Sequence, residues 1–522
     1  MIQRMYHRVR SCSIAILLLN ASIPILTRCG RSDDSLGLRF LGFVQPKGSA
    51  DIAGSPWGLQ YGTMDPAMLD RAAAIGVKWT RLSASWSSVE HERGRYDWSS
   101  TDEAFSGAIK RGITPFVTIG GSSPLYCPEY TSPDPKLAEI YGSRPAPPTR
   151  SPQAMQAWLA FVRALIERYR EFIRHWEIWN EPNHFAYWGA EPNAGEYGRL
   201  VRETARVIKT VDPRAVIIAG ATAGLDPEFT DGFLKGGTAR LIDKVSFHNY
   251  GDIPEARVYQ AAAVRRVIDR HNPAIGLWQG ECGCPSASST RDYRGIGPWG
   301  LNIQAKWLLR QAFTDVFYCR AEISTYFKLV DPGKRSDRPK RSNLSPIDSV
   351  FGFPERGGSR VKSIGVNEKC LLQNPGLEPK PAYFAYQNLC ALVDNRYKPV
   401  KVNHAFAIKN AGTFYGIGPG DDAFPSVPLL VSFKTGEGHF LLAHWLPWHA
   451  QEIVKPATVD VRIDGAAFRD PVLVDLLTGR VYRFDRIKRE GQSLVLTDLP
   501  LADYPLAVVE RSEVSVGKKV GM

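Results

Sequence analysis

The 522-residue chain has no G-x-G-x-x-G after its first apolar run, no nucleic-acid motif, and no internal repeat or low-complexity tract. The first absence removes the usual support for a doubly wound dinucleotide-binding sheet. The second bears on a net charge of +12. The basic residues are dispersed, apart from the N-terminus and the run "GKRSDRPKRS" at 333–342, and form no helix-length stripe. Nucleic acid is therefore not an expected partner. The run itself reads as a solvated loop, or as a neighbour of an anionic substrate. Cysteine is scarce, with 8 residues. Cys12 and Cys29 lie near the start, and Cys127, Cys282, Cys284, Cys319, Cys370 and Cys390 are scattered without zinc spacing. Cys282 and Cys284 are too close in sequence for an easy mutual bridge, and other pairings stay open. No metal or organic cofactor is expected.

Long apolar runs are missing too. The most apolar segment, "IAILLLNASIPIL", is short for a membrane span and follows Arg4, Arg8 and Arg10. It reads as a signal peptide within a leader of residues 1–30, which implies export to the periplasm or beyond. Arg28 directly before Cys29 does not suit a lipoprotein site. Any membrane contact is expected through this leader alone.

What remains is ordinary globular composition, 44% hydrophobic and 23% charged. At this length two folded units are expected. From about residue 56 to 395, β-rich runs alternate with amphipathic helices. The eight strand candidates are "PWGLQYG", "GVKWTRLSASW", "GITPFVTIGG", "FIRHWEIWNE", "AVIIAGATAG", "KVSFHNYG", "AIGLWQGECG" and "EISTYFKLVD". That count and order predict an α/β fold, a (β/α)8 TIM barrel, over residues 31–395. Ser151 and Pro152 open a helix as N-cap and first-turn proline, and Met155, Trp158, Leu159, Val162, Leu165, Ile166 and Tyr169 keep helical spacing. The segments 121–150 and about 330–379 follow strands and would lie on the barrel's catalytic face. After residue 396 short alternating strands predict a C-terminal antiparallel β-sandwich over 396–522.

Reactive groups in a TIM barrel sit at the C-terminal ends of strands. Glu181 ends the fourth strand candidate and Glu281 the seventh. A closed barrel can bring two such carboxyls to roughly 5 Å, the spacing retaining glycoside hydrolysis requires. "WNEPN" at 179–183, "SFHNY" at 246–250 and "WQGECG" at 278–283 together resemble the retaining glycosidases of glycoside hydrolase clan A. Family 39, with its β-xylosidases and α-iduronidases, is the nearest, and family 5 follows. "GVKWTRLSASWSSVEHERGRYDW", "KPAYFAYQNL" and "LADYPLAVVE" extend the resemblance over most of the chain. The "ECG" sequence departs from the commoner Glu-Thr-Gly or Glu-Trp-Gly.

The resemblance implies an exported retaining O-glycoside hydrolase with a carbohydrate partner, acting on plant- or algal-type oligo- or polysaccharides, β-xylosidase-like and from chain ends. It implies Glu181 as acid/base, Glu281 as nucleophile, and Asn180 as hydrogen-bond partner of the sugar 2-hydroxyl. His248 and Tyr250 would hold Glu281 and the substrate, and Arg81 would keep Glu281 ionised. Glu177, two strand repeats before Glu181, is an alternative partner for Arg81 inside the barrel. Trp86, Tyr126, Trp188, Trp299 and Tyr326 are candidates for sugar stacking or for plain packing, and Trp86 and Tyr326 are placed with the substrate-binding residues. The competing functions are an endo-acting β-glycanase of the family 5 type and a non-catalytic carbohydrate-binding barrel. A lyase or isomerase is a third, with Lys328 as the one obvious strand-end lysine.

Overall fold

Eight parallel strands close on themselves in the computed structural model. It describes residues 37–519 other than 62–64, 251–252, 288–298, 332–367, 375, 410–427, 448–449, 453–456 and 492. The strands are β1 (Trp57–Gln60), β2 (Trp79–Ser85), β3 (Thr114–Gly120), β4 (His175–Ile178), β5 (Val216–Ala223), β6 (Lys244–Asn249), β7 (Gly276–Cys282) and β8 (Ser324–Phe327). Each pairs with its sequence neighbour, and β8 returns to β1 through Ser324 opposite Trp57. This is the predicted TIM barrel. The leader and the basic run at 333–342 lie outside the described residues, as do Cys12 and Cys29. Among the described residues no helix is long and apolar enough to cross a membrane. The six described cysteines are all buried.

The strand period of two orders the barrel interior into layers. Trp79, Phe116, His175, Ile218 and Trp278 meet low in the barrel. Trp278 lies 5.2 Å from Trp79, 5.4 Å from Phe116 and 5.6 Å from His175, ring centre to ring centre. Two residues further along, the same inward positions hold Arg81, Thr118 and Glu177. A polar layer thus rests on an aromatic floor.

The ridge of helices outside the barrel follows from sequence in the same way. Ser151 caps Pro152–Tyr169, its Oγ accepting from the Ala154 backbone N–H. Trp158, Val162, Leu165, Ile166 and Tyr169 are buried along its inner face. Helix Leu301–Phe313 differs, because every residue from Ile303 to Phe313 is buried. Both sides of it are covered, as expected of a helix between two units.

The second unit is the cover. An eight-stranded sheet runs Lys398–Pro399, Leu429–Lys434, Phe440–Trp445, Leu506–Glu510, Pro471–Asp475, Arg480–Phe484, Leu38–Val44 and Val516–Gly517. A four-stranded sheet orders Asn403–Ile408, Ala457–Asp464, Ser493–Leu501 and Lys488–Glu490. Their described pairings are all antiparallel. Val459, Val461 and Ile463 point inward, matching their alternation. Leu38–Val44 corrects the sequence-based boundary at residue 31. It pairs with Arg480–Phe484 in the accessory sheet and not with the barrel, because its partner comes from the far end of the chain and leaves no local signal. Lys306 meets Asp503 at 2.9 Å, Trp445 donates to Glu255 at 2.7 Å, and Phe313 packs on Phe433 and Trp445. These contacts seat the sheets on the barrel.

Candidate active site

The "WNEPN" segment leaves β4 through an unusual backbone. Trp179 has φ 71° and Glu181 φ 45°, left-handed values that cost non-glycine residues energy and that cluster at functional sites. The surroundings impose them. Trp179 donates its backbone N–H to Ile119 O and its Nε1 to Tyr187 O, and Glu181 N–H donates to Ala221 O. Asn183 ties the far side of the turn to the end of β5, accepting from Ala223 N–H and donating to Asp226. Gly220 on β5, with φ 102°, packs so tightly on β6 that a Cβ would fall 2.6 Å from Ser246 O. Only glycine fits there.

On the opposite side, the ladder between β6 and β7 slips between Phe247 and His248. A slip of this kind re-aims side chains, and here it places Glu281 opposite His248. One carboxylate oxygen of Glu281, one of Glu181 and one ring nitrogen of His248 all lie within 4.8 Å of one another. The barrel has brought the two predicted carboxyls together at the C-terminal ends of their strands.

Their environments differ. Glu281 Oε2 accepts from Arg81 Nη1 at 3.0 Å and Gln60 Nε2 at 3.3 Å, while Oε1 accepts from the Tyr250 hydroxyl. Burial works against its charged form, but the charges of His248 and Arg81 and the hydrogen bonds from Tyr250 and Gln60 outweigh it. The carboxyl is held below the usual glutamate range. Arg81 pairs with Glu281 and Glu177 and not with Glu181. Glu181 Oε1 lies 2.7 Å from His248 Nδ1, within hydrogen-bond distance. His248 Nε2 is buried with no partner among the described residues.

Arg81 divides its guanidinium. Nε goes to Glu177 at 2.6 Å, Nη1 to Glu281, and Nη2 to Asn180 Oδ1 at 2.8 Å. Both partners considered for Arg81 from the sequence are present. With its oxygen held, Asn180 has its amide N–H groups left to donate. His248 sits on Glu181 and lies 4.0 Å from Glu281, so of the pair expected to hold Glu281 only Tyr250 touches it.

Trp86 and Tyr326 are corrections. Trp86 is fully buried; Tyr126 and Phe161 stack on it at 5.5 and 6.1 Å, and its Nε1 donates to Glu90 at 2.6 Å. Tyr326 is buried with its hydroxyl on Lys369 O. Neither presents a ring face to a sugar. Trp188 and Trp299 are likewise buried, and Tyr126 is held by Glu90 beneath Arg93. Lys328 lies over Phe327 at 5.3 Å. Sequence reasoning missed Gln60, a plain strand-end amide without a motif. It also missed Tyr187, whose phenol is pushed up by burial and by the charges of Glu181 and Glu281; the aromatic run "HFAYW" was its one signal.

Glu181, His248 and Glu281 are also close enough to share a cation, as are Glu437, His439 and Glu513 in the accessory unit. In the first group Glu281 is already matched by Arg81, and Glu181 is engaged by His248. In the second, Arg396 lies 3.0 Å from Glu513.

No family model matches the chain. A β-xylosidase of Geobacillus stearothermophilus is 29% identical over 160 residues, covering 30% of this chain and 31% of the relative. The matched stretch is thus less than a third of that relative's length. A family 39 glycoside hydrolase from Bacteroides cellulosilyticus WH2 superposes with a TM-score of 0.58 at 16% identity, over 87% of this chain and 81% of the other. A family 39 β-xylosidase from Caulobacter crescentus gives 0.52 at 19% identity, over 89% and 97%. In fold the chain is similar to the family 39 glycoside hydrolases. The family 39-like barrel and its C-terminal sheets thereby agree with the resemblance in "WNEPN", "SFHNY" and "WQGECG".

Proposed function

We propose that this chain is a retaining glycosidase that removes sugars of the β-xyloside type from the ends of oligo- or polysaccharides by double displacement. The carrying observation is the carboxyl pair, with one oxygen of each within 4.8 Å and Arg81 paired with only one of the two. Retaining enzymes place their carboxyls at about 5–5.5 Å, and inverting ones at about 6.5–9.5 Å to admit a water. Glu281, kept ionised, attacks the anomeric carbon. Glu181, hydrogen-bonded to His248, protonates the departing oxygen and then, as its conjugate base, activates water. Asn180 donates to the 2-hydroxyl. A non-catalytic barrel would have no use for two carboxyls so unequally supported.

The sugar is proposed from the β-xylosidase names of the relatives. Export rests on the N-terminal leader alone, whose residues lie outside those described. Stereochemistry tests the mechanism. Hydrolysis of an aryl β-xyloside, followed by proton NMR before mutarotation, is expected to show β-xylose first. Initial release of the α-anomer would mean direct displacement by water and would remove Glu281 as nucleophile.

A further inference from the structure

Glu177 lies deeper in the barrel than either carboxyl of the pair and is wholly inaccessible to solvent. A carboxylate there is costly unless fully paired, and this one is. Oε2 accepts from Arg81 Nε at 2.6 Å and Thr118 Oγ1 at 2.7 Å; Oε1 accepts from Ser246 Oγ at 2.6 Å. The donors come from β2, β3 and β6. Two routes lead onward. Arg81 passes to Glu281 and Asn180. Ser246 Oγ accepts from Ala221 N–H at 2.9 Å, and Ala221 O in turn accepts from Glu181 N–H at 2.9 Å. One buried charge is therefore a single residue removed from the nucleophile and the sugar-binding amide, and two residues removed from the acid/base.

We propose that Glu177 is a positioning residue that aims Arg81 and sets how much of its positive charge reaches Glu281. The inference rests on the catalytic reading of Glu281 given above. Two carboxylates share one guanidinium. Without Glu177, Arg81 would pair with Glu281 alone, leaving an over-stabilised and weaker nucleophile. With it, Glu281 stays ionised while keeping its reactivity. A merely structural Glu177 makes the opposite prediction, since its loss would free Arg81 to move away and would leave Glu281 less stabilised.

The midpoint of Glu281 separates the two. In protein labelled with [5-13C]glutamate, the Glu281 carboxyl resonance is identified by its loss in Glu281→Gln and followed against pH. Among the described residues, the charged or titratable groups around it are Arg81, His248, Tyr250, Glu181, Glu177, Tyr187 and Cys282, with Lys369 over the Tyr250 ring. Glu177→Gln, which keeps the shape and drops the charge, is expected to lower the midpoint by about one pH unit. The acid limb of kcat/KM should move the same way, with kcat falling more than KM changes. A midpoint that stays put or rises would overturn the proposal.

Should Glu177→Gln not fold, Thr118→Val tests the same linkage. It removes a competitor for Oε2, draws Arg81 closer to Glu177, and is expected to raise the midpoint by a few tenths of a pH unit, approximately. No rise there overturns the proposal as well. The titration needs no turnover, so the two failures are distinguishable. If Glu281→Ala retains wild-type turnover, the catalytic reading falls. If Glu281→Ala is inactive and the Glu177→Gln midpoint does not drop, Glu177 is only a brace.

Discussion

Glu281→Ala is expected to lower turnover on every glycoside, whatever its leaving group, by on the order of 10⁵-fold, the scale on which loss of a covalent nucleophile is felt. No other described carboxylate is placed to substitute. Glu177 is sealed beneath Arg81, and Glu181 is tied to His248. The fold should survive, because Arg81 keeps Glu177 and Asn180 as partners and the lost side chain lies at the barrel mouth. Circular dichroism and thermal unfolding close to wild type, with activity gone, is the expected result. Added azide should fill the vacated space and return a glycosyl azide of inverted configuration. A variant that keeps more than about a tenth of its turnover would be incompatible with double displacement through this residue.

Glu181→Ala should behave differently. Glu281 keeps Arg81, Gln60 and Tyr250 and can still attack. An alkyl leaving group must now depart as an alkoxide, so natural glycosides should slow by about 10²–10⁴-fold, the usual worth of general acid catalysis. A dinitrophenyl glycoside needs no proton, and its first step should be nearly unchanged. The glycosyl-enzyme then waits, because nothing activates water, and a burst of phenol should precede a slow steady state. Azide should intercept it and return a product of retained configuration. Retained azide from Glu281→Ala and inverted azide from Glu181→Ala would show the roles exchanged.

The two carboxyls were legible in the sequence because strand ends are legible. A run of β-branched and aromatic residues closing on Asn180-Glu181-Pro182, and another closing on Glu281, place both at one end of a closed barrel. Nothing in the spacing could show that β7 slips against β6 between Phe247 and His248. That slip decides which residues face His248, and hydrogen-bond register is not written in apolar periodicity. The aromatic candidates failed for a related reason. Trp86 and Tyr326 stand at strand ends, where a ring can face the cleft or the wall behind it, and both face the wall. Thr118 and Ser246 passed unnoticed as small polar residues in apolar strands, yet they hold Glu177. Leu38–Val44 joined the accessory sheet through a partner more than 400 residues away, a pairing that local pattern cannot reveal.

The central claim is a covalent bond between sugar and Glu281. A 2-deoxy-2-fluoro-β-xyloside with a dinitrophenyl leaving group should form that bond quickly and hydrolyse it slowly, since the fluorine destabilises both oxocarbenium-like transition states and the activated phenol rescues only the first. Incubation, proteolysis and tandem mass spectrometry should place one fluoroxylosyl group on the peptide containing "WQGECG", with fragmentation assigning it to Glu281. The label should be absent from Glu281→Gln and should disappear when the excess reagent is removed and a sugar acceptor is supplied. A label on Glu181, or rapid turnover of the reagent with no covalent adduct at any time, would contradict the mechanism.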